Sequence, residues 1–315
     1  MTQAAVIEPS PETLRNPLLR YLLATRPPFL LASVVSCLLG LAGAYAGGVG
    51  IGLGLALLTV LAAVLVHAGV NVLNDYYDAV NGTDEINTER LYPFTGGSRF
   101  IQNRVMGRRQ MAAYGAALLL AGGVVGAGLA LVSGPGLWVI GIVGVLLGWG
   151  YSAPPLYLNA RGWGELCVAA GFGLLIPLGA DYVQRGAFSM SPVWAGLPYG
   201  LLIANLLYIN QFPDCTADAA CGKRHWVVRL GRRRASWGYG LIAAAAYAVL
   251  GVEIVAGLLP ATAVLAAIPL LFSAAAAVRV VRDAQAPQRL RPAIVLTLAA
   301  ALGHGVILAG VLVVA

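Results

Sequence analysis

Charge is what this sequence lacks. Only 10% of its 315 residues are charged, 20 Lys and Arg against 13 Asp and Glu, where a soluble domain carries roughly 25%. With 59% hydrophobic residues and a mean hydropathy of +0.80, that scarcity excludes an ordinary water-soluble globule and points to a polytopic membrane protein. The four cysteines (Cys37, Cys167, Cys215 and Cys221) and three histidines form neither a disulfide framework nor a thiolate–imidazole metal set. Cys37 and Cys167 stand in apolar runs and read as small hydrophobes, while Cys215 and Cys221 read as free thiols. No cleavable signal peptide is expected, because the first apolar run begins only near Phe29 and is long enough to span. The glycine-rich stretch 47–54 lacks the strand–turn–helix setting of a nucleotide loop and reads as a tight helix connection.

What the chain has instead is a series of apolar runs of about twenty residues, the length that crosses a bilayer. They predict nine transmembrane helices in one all-α bundle, near 28–47, 51–73, 111–132, 136–153, 163–184, 193–212, 236–257, 260–281 and 292–314. Residues 1–27 are expected to form a cytoplasmic, interfacial segment, and 28–315 the nine-helix domain. In that segment Leu14, Leu18, Tyr21 and Leu22 follow helical spacing, with Ser10 or Thr13 as cap. With the N-terminus in the cytoplasm, every Lys and Arg except Arg185 falls in a cytoplasmic segment, as the positive-inside rule requires. The net charge of +7 is thereby explained by topology, so nucleic-acid binding is not needed. The C-terminus is expected outside.

The scarce acids are not scattered. Asp75, Asp78, Asp84 and Glu85 follow the second run, in NVLNDYYDAVNGTDE, and Asp214 and Asp218 follow the sixth, in NQFPDCTADAACGKRH. Both clusters are expected at cytoplasmic helix ends, four spans apart, which suggests a tandem of four-helix units with an added ninth helix. Asp75 and Asp78 are i,i+3 and Asp214 and Asp218 are i,i+4, spacings that put two carboxylates on one helical face, where they repel. Two such pairs facing one cavity call for a cation. Carboxylate and amide oxygens select a hard ion, Mg²⁺ above others, which completes its shell with water and substrate phosphate. Lys223 and Arg224 follow Asp218, and Arg99 lies in a Gly-Gly-Ser turn able to offer backbone N–H groups and a guanidinium to phosphate. Acids, metal and cations together imply a polyanion, and diphosphate fits.

A diphosphate at the end of a membrane bundle suggests a lipid whose tail lies between helices, as in an isoprenyl diphosphate. Ionisation then gives an allylic cation that an apolar pocket shields from water. Tyr76, Tyr77, Tyr151, Tyr157 and Tyr208 are candidates to face it. The motifs NDYYDAVNGTD and DCTADAACGKR resemble the two Asp-rich motifs of the UbiA superfamily of intramembrane prenyltransferases, which also has nine spans. Together with FTGGSRFIQ, YSAPPLYLNARGWGE, GADYVQRG and GKRHWVVRLG, they most resemble the 1,4-dihydroxy-2-naphthoate polyprenyltransferases of menaquinone biosynthesis, over about residues 18–314. The resemblance implies that Asn74, Asp75, Asp78 and, in the extended motif, Asp84 hold one metal. Asp214 and Asp218 would hold another, and Lys223, Arg224, Arg99, Asn210 and Tyr151 would contact substrate. It implies a polyprenyl diphosphate and an aromatic acceptor as substrates; 4-hydroxybenzoate, homogentisate or a chlorin are the alternative acceptors. Phe212-Pro213 and His225-Trp226 depart from the naphthoate pattern, at positions expected on the acceptor side.

Two other classes share single features. A cation-coupled transporter would place its acids near the midplane on broken helices, and a phospholipid-forming phosphotransferase would carry an Asp-Gly…Ala-Arg pattern that is absent. His67 falls seven residues before Asn74, on the same helical face, and reads as a packed intramembrane histidine, like His304. Glu165 is expected at the start of the fifth span, where the helix dipole favours a carboxylate. Glu253 lies toward the opposite side from both clusters.

Overall fold

A computed structural model describes residues 8–315. Every regular element among them is a helix, the outcome apolar runs dictate, since a helix satisfies its own backbone where no water can. In chain order the helices are α1 Pro17–Ala24, α2 Pro27–Ala46, α3 Leu53–Asn81, α4 Thr83–Ile86, α5 Arg108–Ser133, α6 Gly136–Ser152, α7 Gly164–Ala170, α8 Ile176–Arg185, α9 Ser191–Ala220, α10 Trp226–Val255, α11 Leu270–Asp283 and α12 Arg291–Val314. A π-helical turn, Gly171–Leu175, fuses α7 to α8, and a 3₁₀ stretch, Ala261–Ala267, precedes α11.

Eight of these segments are long and apolar enough to cross a membrane. The fourth expected span, α6, is apolar but has only 17 residues. The second and sixth runs outlast their apolar stretches. At 29 and 30 residues, α3 and α9 are each about 45 Å long, well beyond a hydrocarbon core of about 30 Å, so their polar C-terminal turns project from the same end of the bundle.

Small residues let the helices close up. A Cβ on Gly69 of α3 would lie 2.8 Å from Leu119 of α5, and one on Gly115 of α5 would lie 2.8 Å from Leu73 of α3. The π turn meets α9 the same way, with Gly173 against Gly200. Leu39, Tyr199, Leu202 and Leu308 fill the contact between α2, α9 and α12. Phe212, Tyr239 and Ile294 fill that between α9, α10 and α12. The buried tyrosine hydroxyls there are satisfied: Tyr199 donates to the Ala32 carbonyl at 3.0 Å, and Tyr239 pairs with Thr297 at 2.7 Å.

The N-terminal helix differs from expectation in its cap. Ser10 and Thr13 bond to each other in a preceding turn, and Asn16 caps α1 by accepting from the amides of Leu18 and Leu19 at 2.9 and 3.3 Å. Leu18 and Leu22 of α1 are exposed. Glu8 binds Arg90 at 2.8 Å and Asn103 at 3.2 Å, tying the segment to the loop that follows α4. Arg185, the one basic residue assigned to the opposite side, is paired with Asp181 at 2.7 and 2.9 Å.

Candidate active site

The projecting ends of α3 and α9 converge, and the loops after them fold back over the gap. Asp78 of α3 and Asp218 of α9 face each other through Lys223, whose Nζ lies 2.8 Å from one and 2.9 Å from the other. The like-charge clash inferred from the sequence is therefore relieved by a protein cation. Burial alone would lower the Lys223 pKa, but the two carboxylates hold it well above the usual lysine value. His225 Nε2 lies 3.1 Å from the other oxygen of Asp218. Asp214 accepts from Asn87 Nδ2 at 2.6 Å and from the Gly96 amide at 3.4 Å. Asn74 Nδ2 donates to Ser152 at 3.0 Å and to Asp78 at 3.4 Å.

The Gly-Gly-Ser turn does not have the expected role. Its amides serve carboxylates: Ser98 N–H donates to Asp75 at 3.0 Å, and that of Gly96 to Asp214. Gly97, at φ +71°, brings backbone so close that a Cβ would lie 2.5 Å from Asp84 Oδ2 and 3.0 Å from Asp75 Oδ1, so glycine is required twice over. Arg99 turns its guanidinium away, to the Asp84 carbonyl and toward Glu8.

A cavity of about 660 Å³ runs from this cluster into the bundle. Asn74, Asp78, Asp84, Asn210, Asp214, Asp218, Lys223 and Tyr151 line it. Asp75, Arg99 and Arg224 do not. Asp75 is buried behind the lining, 3.9 Å from Arg26, and Arg224 is exposed, its backbone held by the Ala160 carbonyl. Of the five candidate tyrosines only Tyr151 reaches the cavity; Tyr208 is buried with its hydroxyl on the Ala235 carbonyl. Nor do the departures from the naphthoate pattern share one side. His225 belongs to the acidic cluster, Phe212 is packed in the α9–α10–α12 core, and Trp226 is exposed. Glu165 does begin α7 and accepts from Gln211 at 2.8 Å.

Arg26, Asn71 and Asn87 were missed by the motifs. Arg26 lines the cavity in a left-handed conformation just before α2, held by the Phe94 carbonyl at 2.9 Å. Its only sequence signal is a lone cation at a span end on the side of the acids. Asn87 has no signal at all, because its partner Asp214 is 127 residues away.

The donor set suits a hard divalent ion. Oδ2 of Asp84 and Oδ1 of Asn210, both in the cavity lining, are buried without a hydrogen-bond partner among the described residues, which is costly unless something completes them. Among those residues no three of His, Cys, Asp or Glu form a ready-made cage, consistent with an ion that keeps water and takes substrate oxygens.

Asp84 records that unmet need. Burial, then the charges of Asp78, Asp75 and Asp214, hold its carboxyl well above 3.8, against the pull of Lys223. A carboxyl raised in the folded state binds more protons there than in the unfolded chain. Stability is therefore full below about pH 4 and falls as pH rises through the raised value. Asp84→Asn is expected to raise the unfolding temperature of the metal-free protein at neutral pH and to flatten its decline between pH 4 and 7. Thermal unfolding in detergent across that range is the check, and an unchanged slope contradicts the assignment.

The UbiA prenyltransferase family model matches residues 33–313. A 1,4-dihydroxy-2-naphthoate octaprenyltransferase of Mycobacterium tuberculosis is 33% identical over 195 residues, 60% of this chain and 63% of that protein. The match thus spans less than two thirds of that relative. A 2-carboxy-1,4-naphthoquinone phytyltransferase of Synechocystis is 28% identical over 75% of this chain and 73% of its own. The solved structure of a UbiA homologue from Archaeoglobus fulgidus, bound to DMAPP and Mg²⁺, superposes with a TM-score of 0.57 at 16% identity. It covers 93% of this chain and 99% of that one.

Proposed function

The chain belongs to the UbiA prenyltransferase family, and from that premise we propose that it transfers an isoprenyl group from a polyprenyl diphosphate to 1,4-dihydroxy-2-naphthoate, with Mg²⁺ as cofactor. The observation that carries this reading is a cavity polar at one end and apolar in its depth, its polar end walled by carboxylates from two distant helices. The Archaeoglobus homologue's DMAPP and Mg²⁺ support the donor and metal, and the naphthoate relatives support the acceptor.

Asn74, Asp78, Asp84, Asp214 and Asp218 would hold the metal, with Asp75 supporting from behind. Mg²⁺ held there would neutralise the diphosphate and make it a better leaving group. Lys223 can turn from its two carboxylates to the diphosphate, and Arg26 adds a second cation at the same rim. The allylic C–O bond breaks, diphosphate leaves with the bonding electrons, a ring carbon of the acceptor forms the new C–C bond, and that carbon then loses its proton, or its carboxylate as CO₂, to restore aromaticity. Apolar walls keep water from the carbocation, and Tyr151 offers it a π face. We place the site on the cytoplasmic side, with the N-terminus there and α1 lying in the interface. The basic residues on the side of the acids support this, as does the neutralisation of Arg185 by Asp181.

The deep end of the cavity should set donor length. Gly144, midway along α6, lines the cavity, and a Cβ there meets nothing within 4 Å. Gly144→Trp is expected to shift the ratio of kcat/KM for a short donor over a long one at least about tenfold, the scale of hydrophobic-pocket discrimination. Competition between geranyl and octaprenyl diphosphates measures it.

Mass spectrometry of host quinones with and without the gene tests the acceptor. Loss of menaquinone supports naphthoate, and an unchanged pool removes it. A cation-coupled transporter finds no support in an acidic cluster at the end of the bundle rather than at its midplane.

A further inference from the structure

We propose that His67 binds the aromatic acceptor, donating from Nε2–H to one of its ring oxygens. The inference rests on the functional reading above and adds a residue to it. His67 lies on α3 and lines the cavity. It is seven residues before Asn74, so it faces the same way about 10 Å deeper. Its Nδ1 lies 2.9 Å from Ser33 Oγ of α2, and Phe172 packs against the ring in a T-shaped contact with centroids 4.9 Å apart. The imidazole is thus fixed from two sides.

The hydrogen-bond pattern assigns its tautomer. Ser33 is fully buried, and its hydroxyl has no partner among the described residues other than His67. Were Nδ1 the protonated nitrogen, the buried Ser33 hydroxyl hydrogen would be left with no acceptor, so the pairing favours a hydroxyl that donates to an unprotonated Nδ1. The ring proton is then on Nε2, which has no protein partner among the described residues. An N–H left in an apolar cavity is unfavourable unless an oxygen meets it. The isoprenyl tail has no oxygen to offer, and the diphosphate belongs two turns away, beside Lys223. The hydroxylated aromatic ring is the substrate whose oxygens fit this depth.

Steady-state transfer kinetics in lipid nanodiscs separate this role from a mere tie between α2 and α3. His67→Phe is expected to raise KM for dihydroxynaphthoate about tenfold, the cost of losing one buried hydrogen bond, with KM for the isoprenyl diphosphate unchanged. His67→Gln keeps an N–H donor and should recover most of the loss. Ser33→Ala frees the tautomer and should fall between them. Acceptor analogues each lacking one ring hydroxyl test wild-type protein directly: one should lose the same tenfold, with no further loss in His67→Phe. An unchanged acceptor KM in His67→Phe, an equal rise for both substrates, or no sensitivity of wild type to either hydroxyl overturns the inference alone. A wild-type protein that prenylates no hydroxyaromatic overturns the functional reading and this inference with it.

Discussion

Asp78→Ala and Asp214→Ala are each expected to lower kcat/KM for prenyl transfer by about a thousandfold, roughly 4 kcal/mol of transition-state stabilisation. The size follows from what the carboxylates would do. An allylic diphosphate leaves only when its charge is neutralised, and the metal supplying that is worth several kcal/mol. Asp78 and Asp214 line the cavity on opposite helices, so neither can replace the other. Asp75→Ala is expected to cost less, because Asp75 lies behind the lining on the Ser98 amide and near Arg26. Its removal should loosen the 87–107 loop before it removes a ligand. Radiolabelled transfer in membranes gives the ranking. Equal losses at Asp75 and Asp78 contradict the geometry, and full activity in Asp78→Ala or Asp214→Ala contradicts the site.

Lys223→Met should act mainly on stability. It keeps most of the length of the side chain and removes the charge that lies 2.8 and 2.9 Å from Asp78 and Asp218. Breaking a buried ion pair by deleting one partner costs about 3–5 kcal/mol, because it leaves buried charge uncompensated. Here two carboxylates are left facing each other. The variant is therefore expected to unfold well below wild type in metal-free buffer. Mg²⁺ should restore more of its stability than it adds to wild type, since the ion takes the place of the missing cation. Transfer should stay impaired even at saturating Mg²⁺, because the diphosphate has lost a contact. Thermal unfolding with and without metal reads both effects, and a variant as stable as wild type without metal contradicts the bridging role.

How far the sequence reached is clearest at these residues. Hydropathy located the eight helices long enough to span and, as the fourth run, the 17-residue α6, because apolar length in a bilayer leaves the backbone one solution. It placed helix ends less well, since α3 and α9 continue into polar sequence where lipid no longer restricts composition. The paired acids were legible from i,i+3 and i,i+4 spacing, and their meeting from topology. What was not legible was direction. Arg99 and Arg224 stand beside the right residues in sequence, yet one turns toward Asp84 and Glu8 and the other to solvent. Arg26 and Asn87 reach the acids only through the folded chain. The acids called for a cation, and part of that demand is met by Lys223 itself. His67 lies on the expected face, yet it lines the cavity instead of being packed away, a fact visible only once α2 and its Ser33 are in place.

Binding of a non-ionisable isoprenyl diphosphate analogue to the purified protein in nanodiscs, followed by calorimetry with and without Mg²⁺, addresses the central claim most directly. Four carboxylates around the polar end repel a diphosphate, and Lys223 is already engaged by two of them. The account therefore predicts micromolar or tighter binding with Mg²⁺, at least about a hundredfold weaker binding in chelator, and loss of the metal-dependent part in Asp78→Ala. Equal affinity with and without metal would contradict a split metal–diphosphate site.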